Sequence, residues 1–288
     1  MTTLDAHQHF WALERGDYGW LTPALAPLYR DFGPRDLAPK LAASGIDGTI
    51  LVQAAPSVAE TEYLLVLADR NDFIEGVVGW VDFEAARSVE DIARLATHPK
   101  LVGVRPMIQD IGDDDWMLRH ELAPAYRALI EHGLCFDALV MPRHLDNLDR
   151  LIARYPELPV VVDHCAKPCI RNGPDGDGGL TSWAPKLARV ASHAHVMCKL
   201  SGLLTEAASG AGVKNLAPYV AHVLDVFGAG RVMWGSDWPV LEMASTYEAW
   251  TDVTRRLVGD LTPEERSAVW GGNAARFYLN EPPGTRTE

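Results

Sequence analysis

An alternation narrows the fold of this chain more than any single motif does. Eight short apolar runs recur along it: "TLDAH", "GTILVQAA", "IEGVVGWVD", "LVGVRPM", "LCFDALV", "LPVVVDH", "HVMCKLS" and "RVMWGSD". Each is nearly continuously apolar, as strands covered on both faces are. Between them the period becomes helical. "PAYRALIEHG" sets Tyr126, Leu129 and Ile130 on one face, with Gly133 placed to end the helix. "PRHLDNLDRLIARYP" does the same with Leu145, Leu148, Leu151 and Ile152. Ser57 with Glu60, and Thr262-Pro263 with Glu265, read as helix-starting capping boxes.

Eight strand–helix units in about 250 residues match an α/β fold of the (β/α)8 TIM-barrel kind. An open doubly wound sheet uses the same units but calls for a glycine-rich first turn, which is missing here. Residues 1–288 are therefore expected to form one barrel domain, with "PEERSAVWGGNAARFYL" packed on it as an appended C-terminal helix. With 48% hydrophobic and 23% charged residues, the chain can build a substantial core.

The same composition excludes several functions. No run approaches the roughly 18 apolar residues of a membrane helix, and the first residues lack the pattern of a signal peptide. A cytoplasmic protein without a membrane partner is expected. Net charge is −13 and no basic block stands out, so nucleic acid is not an expected partner. Four cysteines without a Cys-x-x-Cys read as reduced, mostly buried thiols.

In a barrel, the C-terminal ends of the strands and the loops after them carry the chemistry. Unusual polar residues collect there. His7 and His9 end the first strand, and their spacing points both the same way. Arg105 ends the fourth strand, Asp163 and His164 end the sixth, and Lys167 follows. The seventh carries Lys199 and Ser201; the eighth ends in Ser236-Asp237-Trp238. Two long loops share this rim, 12–35 with Tyr18, Trp20, Tyr29 and Arg30, and 169–182. The first is expected to lie over the pocket as a lid with an aromatic face for a sugar ring. The other seven histidines fall mostly on helices or helix ends and read as structural or surface residues.

Two chemistries fit these residues. Two histidines and a carboxylate with an open position make a catalytic zinc site, with His7, His9 and Asp237 as ligands. Without metal, Asp237 can take a proton from water attacking an ester carbonyl while imidazole N–H groups hold the oxyanion. Asp163 reads as an orienter of an imidazole. Arg105 either binds a substrate oxygen or pairs with a rim carboxylate.

The motifs "DAHQHFW", "DHCAKP", "KLSGLLTEA", "WGSDWPV" and "GGNAARFYL", spread from Asp5 to Leu279, resemble the amidohydrolase superfamily. Within it they resemble the branch of sugar-acid lactonases related to the pyrone-dicarboxylate lactonase. The resemblance implies a strand-one His-x-His, histidines after strands five and six, and a strand-eight aspartate. These fall on His7, His9, His164 and Asp237. "LCFDALV" offers no strand-five histidine, and Arg105 stands where some relatives place a bridging ligand, so a binuclear centre is not expected. The branch implies that no cofactor is required, although a single divalent ion such as zinc can be captured.

The expected activity is hydrolysis of a sugar lactone, an aldonolactone of a deoxy sugar such as L-fucose or L-rhamnose. In that reading Asp237 activates water, while His7, His9 and His164 polarise the carbonyl. Arg105, Lys167, Trp20 and Trp238 are the candidates for substrate binding. Two alternatives stand beside it: a metal-dependent decarboxylase of the same superfamily, and a non-catalytic barrel that binds a sugar acid.

Overall fold

A computed structural model describes residues 2–280; residues 1 and 281–288 of the expected span lie outside the described residues. All eight expected strands are present: β1 (Leu4–Gln8), β2 (Gly48–Val52), β3 (Ile74–Gly79), β4 (Leu101–Val104), β5 (Cys135–Ala138), β6 (Val160–Val162), β7 (Met197–Leu200) and β8 (Val232–Trp234). They form one parallel sheet in sequential order. A bridge between Gln8 and Trp238 rolls it into a barrel, with Asp237 N–H donating to the His7 carbonyl (2.8 Å) and His9 N–H to that of Trp238 (2.7 Å). The apolar runs extend past the strands because the residues after each strand leave the ladder to build the rim.

The helices are α1 (Pro34–Ser44), α2 (Val58–Asp69), α3 (Ser88–Leu95), α4 (Ala123–Glu131), α5 (Leu145–Arg154), α6 (Leu180–Ala191), α7 (Leu203–Glu206), α8 (Val213–Phe227), α9 (Tyr247–Leu257), α10 (Pro263–Ser267) and α11 (Asn273–Tyr278). In α5, Leu145, Leu148, Leu151 and Ile152 are all buried, as their spacing requires. The Thr262–Glu265 box is reciprocal, at 3.2 and 2.9 Å. The one at Ser57 is half formed. Ser57 Oγ accepts from Glu60 N–H at 3.0 Å, but the Glu60 carboxylate turns inward and accepts from the Ala54 and Ala55 N–H groups that follow β2.

The expected C-terminal helix is present over residues 263–278 and packs on the barrel, bent into three parts. It is α10, a π-helical turn over Ala268–Gly272, and α11. A Cβ on Gly271 would fall 2.2 Å from the Thr2 carbonyl oxygen, so only glycine lets this segment lie against the start of the chain. Ala274, Ala275 and Tyr278 then join Leu4, Ile50, Cys135, Val161 and Met233 in one buried cluster. The π-helical turn and α11 form the floor of the barrel.

The 12–35 loop is mostly packed for its own stability. Tyr18, Leu21, Leu28 and Phe32 are buried, and Tyr29 faces solvent. Only Trp20 of its aromatics reaches the cavity described below. All four cysteines are free thiols, three of them buried. No helix among the described residues is long and apolar enough to cross a membrane.

Candidate active site

The site begins with Asp5, a carboxylate buried inside β1. It accepts hydrogen bonds from Ser236 N–H (2.8 Å), His7 N–H (3.1 Å) and Tyr247 O–H (3.0 Å), and burial pushes its pKa up to about 6. These bonds lock β1 to the turn after β8. Gly235 permits the approach, since a Cβ there would meet His7 Cβ at 2.8 Å. Asp237 takes a left-handed backbone (φ 59°), which aims its carboxylate at the histidines of β1.

The centre is compact. Asp237 Oδ1 lies 3.3 Å from His9 Nε2, 3.8 Å from His7 Nε2 and 3.8 Å from His164 Nε2. Burial alone would raise the Asp237 pKa. At the low pH where this carboxylate titrates the neighbouring imidazoles are protonated and outweigh burial, His164 by charge and His9 by hydrogen bonding, and they hold the group well below the usual carboxylate range. Burial lowers all three histidines, His164 to about 4. At neutral pH the site is one carboxylate among neutral imidazoles.

His164 reaches this centre by an unusual route. Four consecutive non-glycine residues, His164 to Lys167, have φ between 50° and 59°. Left-handed backbone costs such residues roughly 1–2 kcal/mol each, so the turn has to be held from outside. The Trp183 indole N–H donates to the Cys165 carbonyl (2.7 Å), and Ser201 Oγ meets His164 Nδ1 at 2.8 Å. Gly202 lies against the ring, where a Cβ would come within 2.7 Å of Nδ1.

The tautomers of His7 and His9 follow from their neighbours. His9 Nδ1 lies 2.8 Å from the Val52 carbonyl oxygen, which can only accept, so Nδ1 carries the proton and Nε2 a lone pair. His7 Nδ1 lies 3.1 Å from Lys199 Nζ, which as an ammonium can only donate, so His7 carries its proton on Nε2. The two Nε2 atoms are 3.1 Å apart, and a donor then faces an acceptor. The shorter contact decides at each ring: Asp237 Oδ1 at 3.3 Å from His9 Nε2, Asp163 Oδ1 at 3.4 Å from His7 Nδ1 and Arg105 Nη1 at 3.4 Å from His7 Nε2 favour the other tautomers but lie farther away.

Lys199 is itself anchored from the floor. Its Nζ is 2.5 Å from Asp137 Oδ2 and 3.1 Å from Asp163 Oδ1, and Tyr278 O–H donates to Asp137 Oδ2 at 2.8 Å. All four side chains are buried. Asp163 also lies 3.4 Å from Arg105 Nη1. Burial opposes its ionisation, but Lys199, His7 and Arg105 hold it well below its ordinary value. Arg105 is clamped by Gln53, donating Nη2 to the Gln53 carbonyl while Gln53 Nε2 donates to the Arg105 carbonyl (2.7 Å).

A cavity of about 170 Å³ opens onto this centre. Of the residues expected at the site, His9, His164, Asp237, Arg105, Lys167 and Trp20 line it. His7 stands behind His9, fully buried. The expectation for Trp238 is corrected. Its ring is buried against Phe10 and Phe32, its indole N–H donates to Glu242 Oε1 (2.7 Å), and it lies outside the cavity wall. Met107, Gln109, Asp110 and Leu139 complete much of the wall, and nothing in their local sequence marked them. The link from Lys199 to Asp137 was also missed. Its signal was a charge inside each of two strands otherwise apolar on both faces.

The donor set fits a single divalent ion. His7, His9 and Asp237 bring their ligand atoms within 4.8 Å of one another. The 3.1 Å between the two Nε2 atoms is close to the roughly 3.3 Å expected across a tetrahedral zinc. Capture would require His7 Nε2 to give up the proton that Lys199 keeps there.

The amidohydrolase family matches residues 4–279. The chain is 46% identical to an L-fucono-1,5-lactonase of Burkholderia ambifaria over 98% of its own length and 97% of that protein. It is 36% identical to an L-fucono-1,5-lactonase of Burkholderia multivorans over 98% of each. An amidohydrolase from Burkholderia multivorans, solved with bound zinc, superposes with a TM-score of 0.91 at 35% identity, covering 97% of this chain and 99% of that one.

Proposed function

The chain belongs to the amidohydrolase family, and from that premise we propose that it hydrolyses the cyclic ester of a deoxy-sugar acid, an L-fucono-1,5-lactone or a near relative, to the open acid. The observation that carries this reading is Asp237, a buried carboxylate kept ionised among three imidazoles at the wall of a cavity sized for one sugar ring. In this reading Asp237 accepts a proton from water as the water oxygen bonds to the lactone carbonyl carbon. The carbonyl oxygen gathers negative charge facing the Arg105 guanidinium and the His164 edge. The Nε2 proton of His7 acts through His9, whose ring it holds at the cavity wall from 3.1 Å. When the tetrahedral centre collapses, the bond to the ring oxygen breaks. The proton held on Asp237 moves to that oxygen, leaving a hydroxy acid and the carboxylate as it began.

Lys167 and Trp20 are proposed to bind the sugar, the lysine by its hydroxyls and the indole by its face. If a divalent ion is bound, His7, His9 and Asp237 would hold it, and it would supply carbonyl polarisation. The setting we propose is cytoplasmic, with a small lactone as partner. A net charge of −13 disfavours nucleic acid as a partner. A panel of aldonolactones, followed by NMR identification of the product, tests the activity. Opening of a deoxy-sugar 1,5-lactone is expected; carbon dioxide release from an unsaturated acid with no lactone opening would replace this reading with the decarboxylase.

A further inference from the structure

A second cavity, of about 350 Å³, adjoins the catalytic one. Trp20, Met107 and Asp110 belong to the walls of both, so the two spaces meet across these three side chains. The far wall is aromatic: Trp80, Phe83 and Trp116 line it, and Trp116 stacks with Phe83 at 6.2 Å between ring centres and 28° between planes. Trp20 is fixed at the junction, its indole N–H donating to the Ala54 carbonyl (2.7 Å) and its ring set edge-on to Trp11 at 5.4 Å. These walls are held by packing.

The charges are of one sign. Asp82, Glu84 and Asp110 line this space, Glu84 being paired with Arg119 (2.8 Å), and no Lys, Arg or His among the described residues lines it. An anionic occupant is repelled. Flat aromatic faces and carboxylate acceptors together suit a ring with apolar C–H faces and hydroxyl edges. An alkyl chain would use the faces and leave the polar groups idle.

We propose that this second cavity is a subsite for a neutral sugar ring joined to the lactone, so that lactones of disaccharide-derived aldonic acids are substrates. The proposal rests on the lactonase reading above and extends it from one ring to two. The first ring occupies the smaller cavity beside Asp237, and the second lies beyond Trp20 and Met107 against Trp80. The bond broken is the same lactone ester in either case, and the glycosidic link stays intact.

The test compares L-fucono-1,5-lactone with the same lactone glycosylated at O2, O3 or O4, and with the same lactone bearing an alkyl chain at those positions, on the wild type and on Trp80→Ala. Trp80 touches only the second cavity. At least one disaccharide lactone is expected to turn over. Trp80→Ala should lower its kcat/KM about tenfold while the monosaccharide value stays within about twofold. Turnover of the monosaccharide lactone alone, equal losses on both sizes, or preference for the alkyl lactone overturns the subsite and leaves the lactonase reading standing. If no lactone of any kind is opened, the lactonase reading itself fails. The subsite then stands or falls on tryptophan fluorescence, where the open disaccharide acid must bind more tightly than the open monosaccharide acid; equal affinity overturns it.

Discussion

Replacing Lys199 with methionine keeps the side-chain length and removes the charge that fixes His7. In the wild type Lys199 Nζ occupies His7 Nδ1 at 3.1 Å, and the proton sits on Nε2. Without the ammonium, Asp163 Oδ1, 3.4 Å from Nδ1, becomes the nearest partner, and as an acceptor it draws the proton to Nδ1. His7 Nε2 then carries a lone pair and stops donating. Loss of the hydrogen bond that orients His9 at the cavity wall lowers kcat by about 10²-fold. The fold suffers as well, because Asp137 and Asp163 lose a cation 2.5 and 3.1 Å away. Breaking a buried pair in this way costs roughly 3–5 kcal/mol. Adding Asp137→Asn removes one stranded charge and should restore part of the stability without restoring turnover. The assay is nitrogen-15 NMR of the His7 ring, with zinc calorimetry in buffers of different ionisation enthalpy. Zinc binding to the wild type should release one more proton than binding to Lys199→Met. A wild-type His7 protonated on Nδ1, equal proton release, or turnover recovered in the double variant would refute the reasoning.

Gly202→Ala puts a methyl where His164 Nδ1 is 2.7 Å away, at φ +66°. Turnover should fall by about 10²-fold through displacement of the ring, with a stability loss of about 1 kcal/mol; steady-state kinetics beside thermal melts check both. Glu60→Gln reports on a different buried carboxylate. Burial raises Glu60 from the ordinary 4.5 to about 7 against the hydrogen bonds from Ala55 and Ala54 N–H. A raised pKa favours the folded state at low pH, so the wild type should lose stability relative to the variant as pH rises from 4.5 through 7. The difference over that window is about 3 kcal/mol at most. Melts across this range that stay parallel for the two proteins would contradict it.

The barrel was legible because its strands are buried on both faces and therefore appear as unbroken apolar runs. His7, His9, His164 and Asp237 were legible because they end such runs. Trp238 was misplaced for a physical reason. An aromatic beside a reactive aspartate can face the cavity or the core, and a sequence does not tell which way its side chain turns. The link from Tyr278 through Asp137 and Lys199 to His7 joins residues 141, 62 and 192 positions apart, contacts that only barrel closure creates. The C-terminal helix was legible from its period, but its bend was not, because that period continues across Gly271-Gly272. The close approach to Thr2 that bends the backbone there is a tertiary contact.

The central claim is that ester opening depends on the Asp237 carboxylate. Its most direct test is the initial rate of acid release from L-fucono-1,5-lactone by the wild type and by Asp237→Asn, each correctly folded by circular dichroism. Asparagine keeps the shape and cannot take the proton, so a loss of about 10²–10⁴-fold in kcat is predicted. A rate within a few-fold of the wild type would contradict the account and move the base elsewhere in the site.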